Sequence, residues 1–180
     1  MLGLLSNRPM SGYDIKKRFE EYLGKFWSES YGQIYPIAKE LVDEGLATRA
    51  VEQTEGRPNR NVFTITDKGL EELKNWLSKP ADPHKERLEV LLKLICGAHM
   101  SAESNIEVVQ RFRNEWMSHI ETYAEIERVL RATYEGDAQL PYWMMAVDCG
   151  MHIAKAYISW SDETIEALRQ MQELANADSQ

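Results

Sequence analysis

An alternation of three- and four-residue steps between apolar side chains in the second half of the chain constrains the fold most strongly. This spacing is typical of a long helix that packs along a helical partner, and it predicts a helix over residues 102–133. The residues that carry the spacing are Val109, Phe112, Trp116, His119, Tyr123, Ile126 and Leu130.

A second long helix is expected from about Tyr142 to Ala175, and a short, buried helix from Arg87 to Ala98. The stripe of the second long helix consists of Trp143, Val147, Gly150, Ala154, Tyr157, Thr164, Leu168 and Met171. An antiparallel pair of helices about 45 Å long cannot bury two such broad stripes within one chain. The pattern therefore predicts a three-helix dimerisation domain over residues 80–180, covered by a second copy of the chain.

The net charge is concentrated in that helical half. Residues 1–79 contain 12 basic and 12 acidic residues, so the whole net charge of −8 belongs to residues 80–180. DNA binding requires cations near the phosphates, and an acidic half would orient the neutral half toward DNA. No apolar run approaches the ~20 residues that cross a bilayer, and two distant cysteines do not indicate a disulfide framework. We therefore expect a cytoplasmic protein with no membrane partner.

In the neutral half, two helices are predicted on either side of a short linker. Ser11 is expected to cap the first helix, with Asp14 in its first turn. The second helix should run from about Ser30 to Glu44 and end at Gly45. Its buried face would consist of Ile34, Ile37, Ala38, Leu41 and Val42, and its outer face of Gly32, Gln33, Tyr35, Pro36, Lys39 and Asp43. Small, amide and phenol groups suit a face that enters the major groove of DNA.

A β-hairpin is predicted directly after this second helix. Residues 46–52 and 61–66 have strand character, and the loop between them contains Arg57 and Arg60. In the second strand, the residues expected to alternate between the two faces are Val62, Phe63, Thr64 and Ile65. A hairpin after a recognition helix is a wing, and its arginines would meet the phosphate backbone or the minor groove.

The first domain should close with a helix capped by Thr66. The apolar stripe of this helix consists of Leu70, Leu73 and Leu77. A polar linker with two prolines follows over residues 78–83, so we place the domain boundary near Pro80. The predicted fold is mainly α: a winged helix-turn-helix domain with a small β-hairpin wing over residues 1–79, followed by the three-helix dimerisation domain.

Four motifs of the first half resemble the winged-helix domain of PadR-type bacterial transcriptional regulators. They are Ser11-Gly12-Tyr13, Gln33-Ile34-Tyr35-Pro36, Gly45-Leu46 and Gly56-Arg57-Pro58, in the order and spacing of that family. The second half is similar to the helical domain of the family, called virulence-activator alpha C-terminal. Members usually carry a few more residues before the segment that starts at Leu2, so we expect either that a helix at residues 2–5 is clipped or that the chosen start codon lies inside it.

The resemblance implies a homodimer that binds a pseudo-palindromic, double-stranded DNA operator, usually as a repressor that a small molecule releases. The residues that it implies for DNA binding are Tyr13 and Lys16 at phosphates, Gln33, Tyr35 and Lys39 at the major groove, and Arg57 and Arg60 on the wing. For the arginines and Lys39, the sequence offers no internal use of the charge.

Other interpretations of the same residues remain open. Tyr13 and Tyr35 could pack inside the first domain, and the neutral half could be a winged-helix module that binds a protein partner and no DNA. In the second half, aromatic residues and methionines either form the core and dimer interface or line a pocket for a small hydrophobic or aromatic effector. The residues predicted for the dimer interface or effector pocket are Val109, Phe112, Trp116, Tyr123, Trp143, Val147 and Tyr157.

No motif of the chain indicates catalysis or a cofactor. A nucleophile elbow, a Walker loop, a dinucleotide fingerprint and a zinc-protease motif are all absent from the sequence, so neither an enzyme nor a cofactor is expected. Two Cys-Gly-x-His motifs, 96–99 and 149–152, could offer metal ligands, but antiparallel helices would separate them. A nearer group would be His119, His152 and Cys149, and we expect no metal there.

Overall fold

The computed structural model describes residues 1–21, 31–52, 59–83 and 87–177. The chain divides into two compact units, Met1–His84 and Lys85–Gln180. Helices dominate both units, and the first unit also contains a three-stranded antiparallel sheet. The prediction of a mainly α fold with a small β-hairpin wing is confirmed. Within the described part of the chain, no helix combines the length and apolar character needed to span a membrane.

The first unit alternates helices with short strands. Its elements are α1 (Leu2–Leu5), β1 (Met10–Ser11), α2 (Gly12–Glu21), a 3₁₀ turn (Tyr31–Gln33), α3 (Ile34–Asp43), β2 (Ala47–Glu52), β3 (Arg60–Ile65) and α4 (Asp67–Ser78). One core joins the helices to the sheet, and its buried residues are Leu5, Met10, Ile15, Ile34, Ala38, Ala47 and Phe63.

Helix α2 begins with a reciprocal capping arrangement. The backbone N–H of Asp14 donates to the Ser11 hydroxyl at 3.2 Å, and the Asp14 carboxylate accepts from the Ser11 N–H at 2.9 Å. This is the capping box that satisfies backbone donors at a helix start, and it confirms Ser11 as the cap. Directly before this cap, Met10 belongs to the short strand β1, where it pairs with Phe63 of β3. Burial of the Met10 side chain explains the pairing, but two residues are too few to show a strand period.

Helix α3 is amphipathic as the spacing predicts. Its inner residues are buried or half-buried, whereas Gln33, Tyr35, Pro36 and Lys39 are exposed. The helix ends where Gly45 adopts a φ of +73°, with the Leu46 N–H bonded to the Leu41 carbonyl at 2.8 Å. This pattern is the Schellman motif, in which glycine supplies the left-handed conformation.

The sheet has the strand order β1-β3-β2, so β3 is central. Residues 47–52 of β2 pair with residues 60–65 of β3 in antiparallel register. The alternation between the two faces of β3 does not separate buried from exposed residues here, because the adjacent residues Val62 and Phe63 are both buried. Adjacent side chains point to opposite faces, so the first unit covers both faces of β3 at this point.

Helix α4 starts at the predicted cap. The Thr66 hydroxyl accepts a hydrogen bond from the Gly69 N–H at 3.0 Å. The predicted stripe is exposed at Leu70 and Leu77, however, and the residue that α4 buries is Gly69. A Cβ on Gly69 would lie 2.0 Å from the Leu46 carbonyl oxygen, so α4 meets the end of α3 with its backbone.

The second unit is a helical hairpin with a short helix beside it. Its elements are α5 (Glu89–Ile95), a 3₁₀ turn (Gly97–His99), α6 (Ala102–Thr133) and α7 (Leu140–Ala177). Ion pairing of Arg113 with Asp162 and a hydrogen bond from Gln172 to Glu103 show that α6 and α7 are antiparallel. Helix α5 is shorter than predicted and was wrongly expected to be buried, since only Val90 is buried in it.

Helices α6 and α7 approach each other closely at Gly150. A Cβ at this residue would lie 2.6 Å from Cζ of Tyr123, so only glycine lets the ring lie there. Burial raises the pKa of the Tyr123 phenol, and the neighbouring Cys149 raises it further. Gly150 of the predicted stripe thus permits a close approach of α6 of the same chain.

The hairpin buries part of the two long stripes within one chain, and it leaves Phe112, Trp116 and Tyr157 half-buried. Val109, Tyr123, Ile126, Leu130 and Val147 are all buried within the single hairpin. Large apolar residues do remain exposed in the second unit, but mostly outside the predicted stripes. They are Leu91, Leu92, Ile95, Met100, Met117, Tyr142, Met145, Ile153, Met171 and Leu174.

Candidate nucleic-acid interface

The outer face of α3 is a convex, polar surface with little internal function. The Tyr35 side chain is 61% exposed, and Gln33 and Lys39 are also exposed. Lys39 forms no ion pair with any residue that the structure describes. An amide, a phenol and an unpaired ammonium on one helix face can hydrogen-bond base edges and attract phosphates.

Helix α2 contributes a second exposed phenol next to this face. Tyr13 is 70% exposed, and it follows Gly12, over which the ring of Tyr35 lies. The start of α2 and the outer face of α3 therefore belong to one surface. Neither tyrosine packs inside the unit, contrary to the alternative left open by the sequence.

The remaining predicted cation of α2 is already paired. The Lys16 ammonium lies 3.5 Å from the Glu20 carboxylate, one helical turn away, and both side chains are about half exposed. Exposed pairs of this kind contribute at most about 1 kcal/mol. Exchange of Glu20 for a phosphate partner at Lys16 is therefore energetically accessible.

Of the two predicted wing arginines, Arg57 lies outside the described residues. Arg60 is the first residue of β3 and lies opposite Glu52 in the hairpin register. Its Nε donates to Oε2 of Glu52 at 2.9 Å, and its Nη1 lies 4.0 Å from Oδ2 of Asp14. The premise that this arginine has no internal use for its charge is wrong.

The carboxylate of Asp14 joins the wing stem to the start of α2. Burial raises its pKa, but hydrogen bonds from the Ser11 hydroxyl and N–H, together with the charges of Arg60 and Arg8, outweigh burial and lower the pKa overall. Asp14 therefore stays ionised near neutral pH. The trio Asp14, Glu52 and Arg60 carries a net charge of −1, which offsets the attraction of Arg60 for a phosphate.

In the second unit, the structure brings together three of the residues predicted for a dimer interface or effector pocket. Phe112, Trp116 and Tyr157 are half-buried, and their ring centroids lie 4.7 to 6.0 Å apart. Trp160 completes this cluster with its ring 5.8 Å from Phe112. The spacing did not point to Trp160, because it lies one residue off the predicted stripe.

Trp143 and Val147 lie apart from the aromatic cluster, whereas Val109 belongs to a core against which Phe112 and Trp160 pack. Val109 is in the core with Val90 and Ile165. Trp143 packs edge-on against Tyr134 at 5.1 Å, at the opposite end of the hairpin. Val147 lines an open groove of about 280 Å³, together with Glu127, Arg131, Pro141, Met144, Met145, Asp148 and Met151.

Of the residues considered as metal ligands, two histidines make other contacts. His119 packs against Trp116, with ring centroids 4.8 Å apart, and Nδ1 of His152 lies 2.9 Å from the Asp148 carbonyl oxygen. Cys96 and Cys149 are free and exposed. Among the described residues, no group of three or more His, Cys, Asp or Glu side chains is placed to hold a metal ion.

Two candidate functional residues were not predicted as such from the sequence. Glu52 emerges only from the hairpin register that places it opposite Arg60. Gly12 emerges only from the ring of Tyr35 above it. A signal for the glycine does exist in the sequence, because the first position of a capped helix ordinarily gains stability from a side chain.

Two family models match the chain in succession. The Transcriptional regulator PadR-like family matches residues 1–75, and Virulence activator alpha C-term matches residues 86–169. A curated relative is the Negative transcriptional regulator PadR of Bacillus subtilis (strain 168), which is 40% identical over 94 residues. That match covers 52% of this chain and spans about half the length of the relative, 52%.

Solved structures extend the similarity to most of the chain. Bacillus subtilis PadR in complex with operator DNA has a TM-score of 0.81 and 26% identity over 93% of this chain and 96% of that chain. The same protein with p-coumaric acid has a TM-score of 0.75, also at 26% identity, over 93% and 95%. The Vibrio cholerae virulence activator AphA has a TM-score of 0.73 and 29% identity over 94% and 96%.

These relatives are transcriptional regulators, not enzymes. Their similarity covers both units, and the two family models follow the order in which the units occur along the chain. Residues 1–75 therefore form a domain of the PadR-like family of transcriptional regulators, and residues 86–169 form a virulence activator alpha C-terminal domain.

Proposed function

We propose that the chain is a homodimeric, DNA-binding repressor that recognises a pseudo-palindromic operator in the cytoplasm and is released by a small hydrophobic or aromatic effector. The exposed polar surface at the start of α3 carries this proposal, because Tyr35 and Lys39 of α3 and Gln33 in the turn before it are exposed and have little internal use. The PadR relative named a negative regulator, and its complexes with operator DNA and p-coumaric acid, support the same assignment.

In this proposal, residues 1–79 bind DNA. Helix α3 enters the major groove, Tyr13 and Lys16 of α2 contact phosphates, and the wing arginines approach the backbone beside it. Residues 80–180 dimerise and bind the effector. A two-fold dimer would present its two α3 helices about one turn of DNA, ~34–36 Å, apart.

Exposed apolar residues of the second unit support dimerisation. Ile95 is 80% exposed, and Leu92, Met171 and Leu174 each exceed 60%. Large exposed apolar side chains that gather on one unit mark an interaction surface. The second copy would thus cover the outside of the helical unit, and the α6–α7 seam that the sequence assigned to the dimer stays within the chain.

The aromatic cluster Phe112, Trp116 and Tyr157 supports the effector. Half-buried flat rings in contact form a surface onto which an aromatic acid can stack. Effector binding would then change the angle between the two arms of the dimer, so that the α3 helices lose their one-turn spacing. If p-coumaric acid at saturation leaves the operator Kd unchanged, this effector is excluded for the chain.

Fluorescence anisotropy tests the DNA-binding proposal. The probe is DNA from immediately upstream of the gene for this chain, compared with a scrambled duplex across a salt series. We expect a specificity ratio of ~10³ or more and a loss of about one unit of salt slope in Lys39→Ala. Lys74→Ala, in an exposed pair with Glu71 on α4, is the matched control.

No binding to either duplex at low salt would favour the alternative, a winged-helix module that binds a protein partner. Dimerisation has its own test by sedimentation velocity. We expect Ile95→Asp to shift the chain to monomer, whereas Val51→Asp, which places the same charge at an exposed apolar residue of the first unit, should not. A dimer that persists in Ile95→Asp would refute the role of α5.

A further inference from the structure

Gly12 lies directly beneath the exposed phenol of Tyr35. A Cβ on Gly12 would lie 2.8 Å from both Cε1 and Cζ of that ring and 3.0 Å from its hydroxyl oxygen. Real Cβ atoms essentially never approach other heavy atoms so closely. The ring can therefore occupy this place only when residue 12 has no side chain.

Neither the backbone nor the core requires a glycine at this position. Among the described glycines, the ones with positive φ are Gly45 and Gly136, so Gly12 has an ordinary helical conformation. At a helix start, alanine has the higher intrinsic propensity. The three nearest atoms that a Cβ would meet all belong to the end of one exposed side chain, which can rotate into solvent.

The contact between Gly12 and Tyr35 therefore determines where the Tyr35 side chain lies and contributes little to folding. We propose that Gly12 is a positioning residue, which holds the Tyr35 ring against the start of α2 so that its hydroxyl is placed for the operator before DNA arrives. This inference rests on the proposed DNA binding of α3. The inference adds that α2 and α3 form one preorganised DNA-binding surface, in which the Tyr35 ring connects the two helices.

Preorganisation has a measurable consequence for affinity. Ordering one free side chain on binding weakens an interface by about 3- to 10-fold. Gly12→Ala should weaken operator binding by this factor, because the displaced ring must find its place again against a methyl group. The thermal midpoint should stay constant or rise, since the helix gains an alanine.

A double-mutant cycle separates this role from a direct one. We expect Gly12→Ala to weaken binding in the wild-type chain and to have no further effect in Tyr35→Ala. Gly3→Ala is the control, because a Cβ there meets nothing within 4 Å. An equal loss in both backgrounds would overturn the inference, since Gly12 would then matter through close backbone approach to DNA.

A second measurement needs no DNA. In chain labelled with 3-fluorotyrosine, the ¹⁹F resonance that disappears in Tyr35→Phe should shift in Gly12→Ala and stay in place in Gly3→Ala. An unshifted resonance would overturn the contact itself. Failure of the wild-type chain to bind any duplex would refute the proposed function, whereas intact binding with an unweakened Gly12→Ala would refute only the positioning role.

Discussion

Glu52 should restrain the affinity of this chain for DNA. Its carboxylate accepts from Arg60 at 2.8 and 2.9 Å, in the stem of the wing. With Asp14 4.0 Å away on the other side, Arg60 offers a phosphate no net positive charge. Glu52→Gln removes one negative charge at nearly constant shape, so Arg60 would become available to the DNA backbone.

The size of the effect follows from counterion release. One additional phosphate contact makes the slope of log K against log salt more negative by about 0.9. Between about 50 and 200 mM salt, this slope changes the ratio of the two affinities by about 3.5-fold, or about 0.8 kcal/mol. Both side chains of the lost pair are about half exposed, and such pairs contribute at most about 1 kcal/mol to folding.

Anisotropy titrations at several salt concentrations measure the slope directly. Glu52→Gln should bind more tightly than the wild-type chain, with the largest advantage at low salt. Glu71→Gln is the matched control, because it removes the same charge from an exposed lysine pair on α4. The double variant Glu52→Gln/Arg60→Ala should lose the gain.

Parallel salt plots for Glu52→Gln and the wild-type chain would refute this reasoning. Arg60 would then be a structural residue of the wing stem, remote from any phosphate. A gain in Glu71→Gln of the same size would refute it differently, because the effect would come from net charge alone.

Three further predictions concern the framework that holds the site. Gly69→Ala should destabilise the first unit by about 3 kcal/mol in chemical unfolding, because the new Cβ meets the Leu46 carbonyl at 2.0 Å; a smaller change than Gly3→Ala would contradict the contact. Gly150→Ala should lower the thermal midpoint through a loss of about 1–3 kcal/mol, because the buried Tyr123 ring cannot rotate away, and Gly136→Ala would serve as a comparison of pure φ strain. The lowered pKa of Asp14 stabilises the fold above its unfolded pKa of 3.8, so the stability difference between wild type and Asp14→Asn should shrink as the pH falls through the folded pKa, and a constant difference would refute it.

Local patterns of the sequence were sufficient for the helices. The capping pair Ser11 and Asp14, the terminator Gly45 and the 3,4 spacing of α6 each depend on residues within a few positions of one another. Helix caps and periodicity are local properties, so they can be read from a sequence without its fold. The strand pairing of Met10 could not be predicted from local patterns, because it depends on Phe63, more than fifty residues away.

Only part of the candidate site could be predicted from the sequence. Its outer face on α3 follows from helical periodicity, and the structure exposes the side chains expected there. The partners of Arg60 and the ring above Gly12 depend on hairpin register and on the packing of α2 against α3. The burial of residues in the second unit was poorly predicted for a related reason. Which residues of the two apolar stripes meet depends on how far α7 turns back along α6.

The proposed DNA binding requires that α3 is fixed in place on the side that does not face DNA. Helix α4 provides the hydrogen bonds that fix it. The carbonyls of the three residues that directly follow α3 each accept a hydrogen bond from Thr66 or Lys68 at the start of α4. The Lys68 ammonium donates to the Glu44 carbonyl at 2.6 Å, the Thr66 hydroxyl to that of Gly45 at 2.8 Å, and the Thr66 N–H to that of Leu46 at 3.1 Å.

Free carbonyls at a helix end would otherwise bind water and let the end fray. Here the Lys68 ammonium and the hydroxyl and N–H of Thr66 bind these carbonyls, so the link between the end of α3 and α4 does not involve the side chains on the outer face of α3. Gln33, Tyr35 and Lys39, the side chains proposed to read DNA, take no part in these hydrogen bonds.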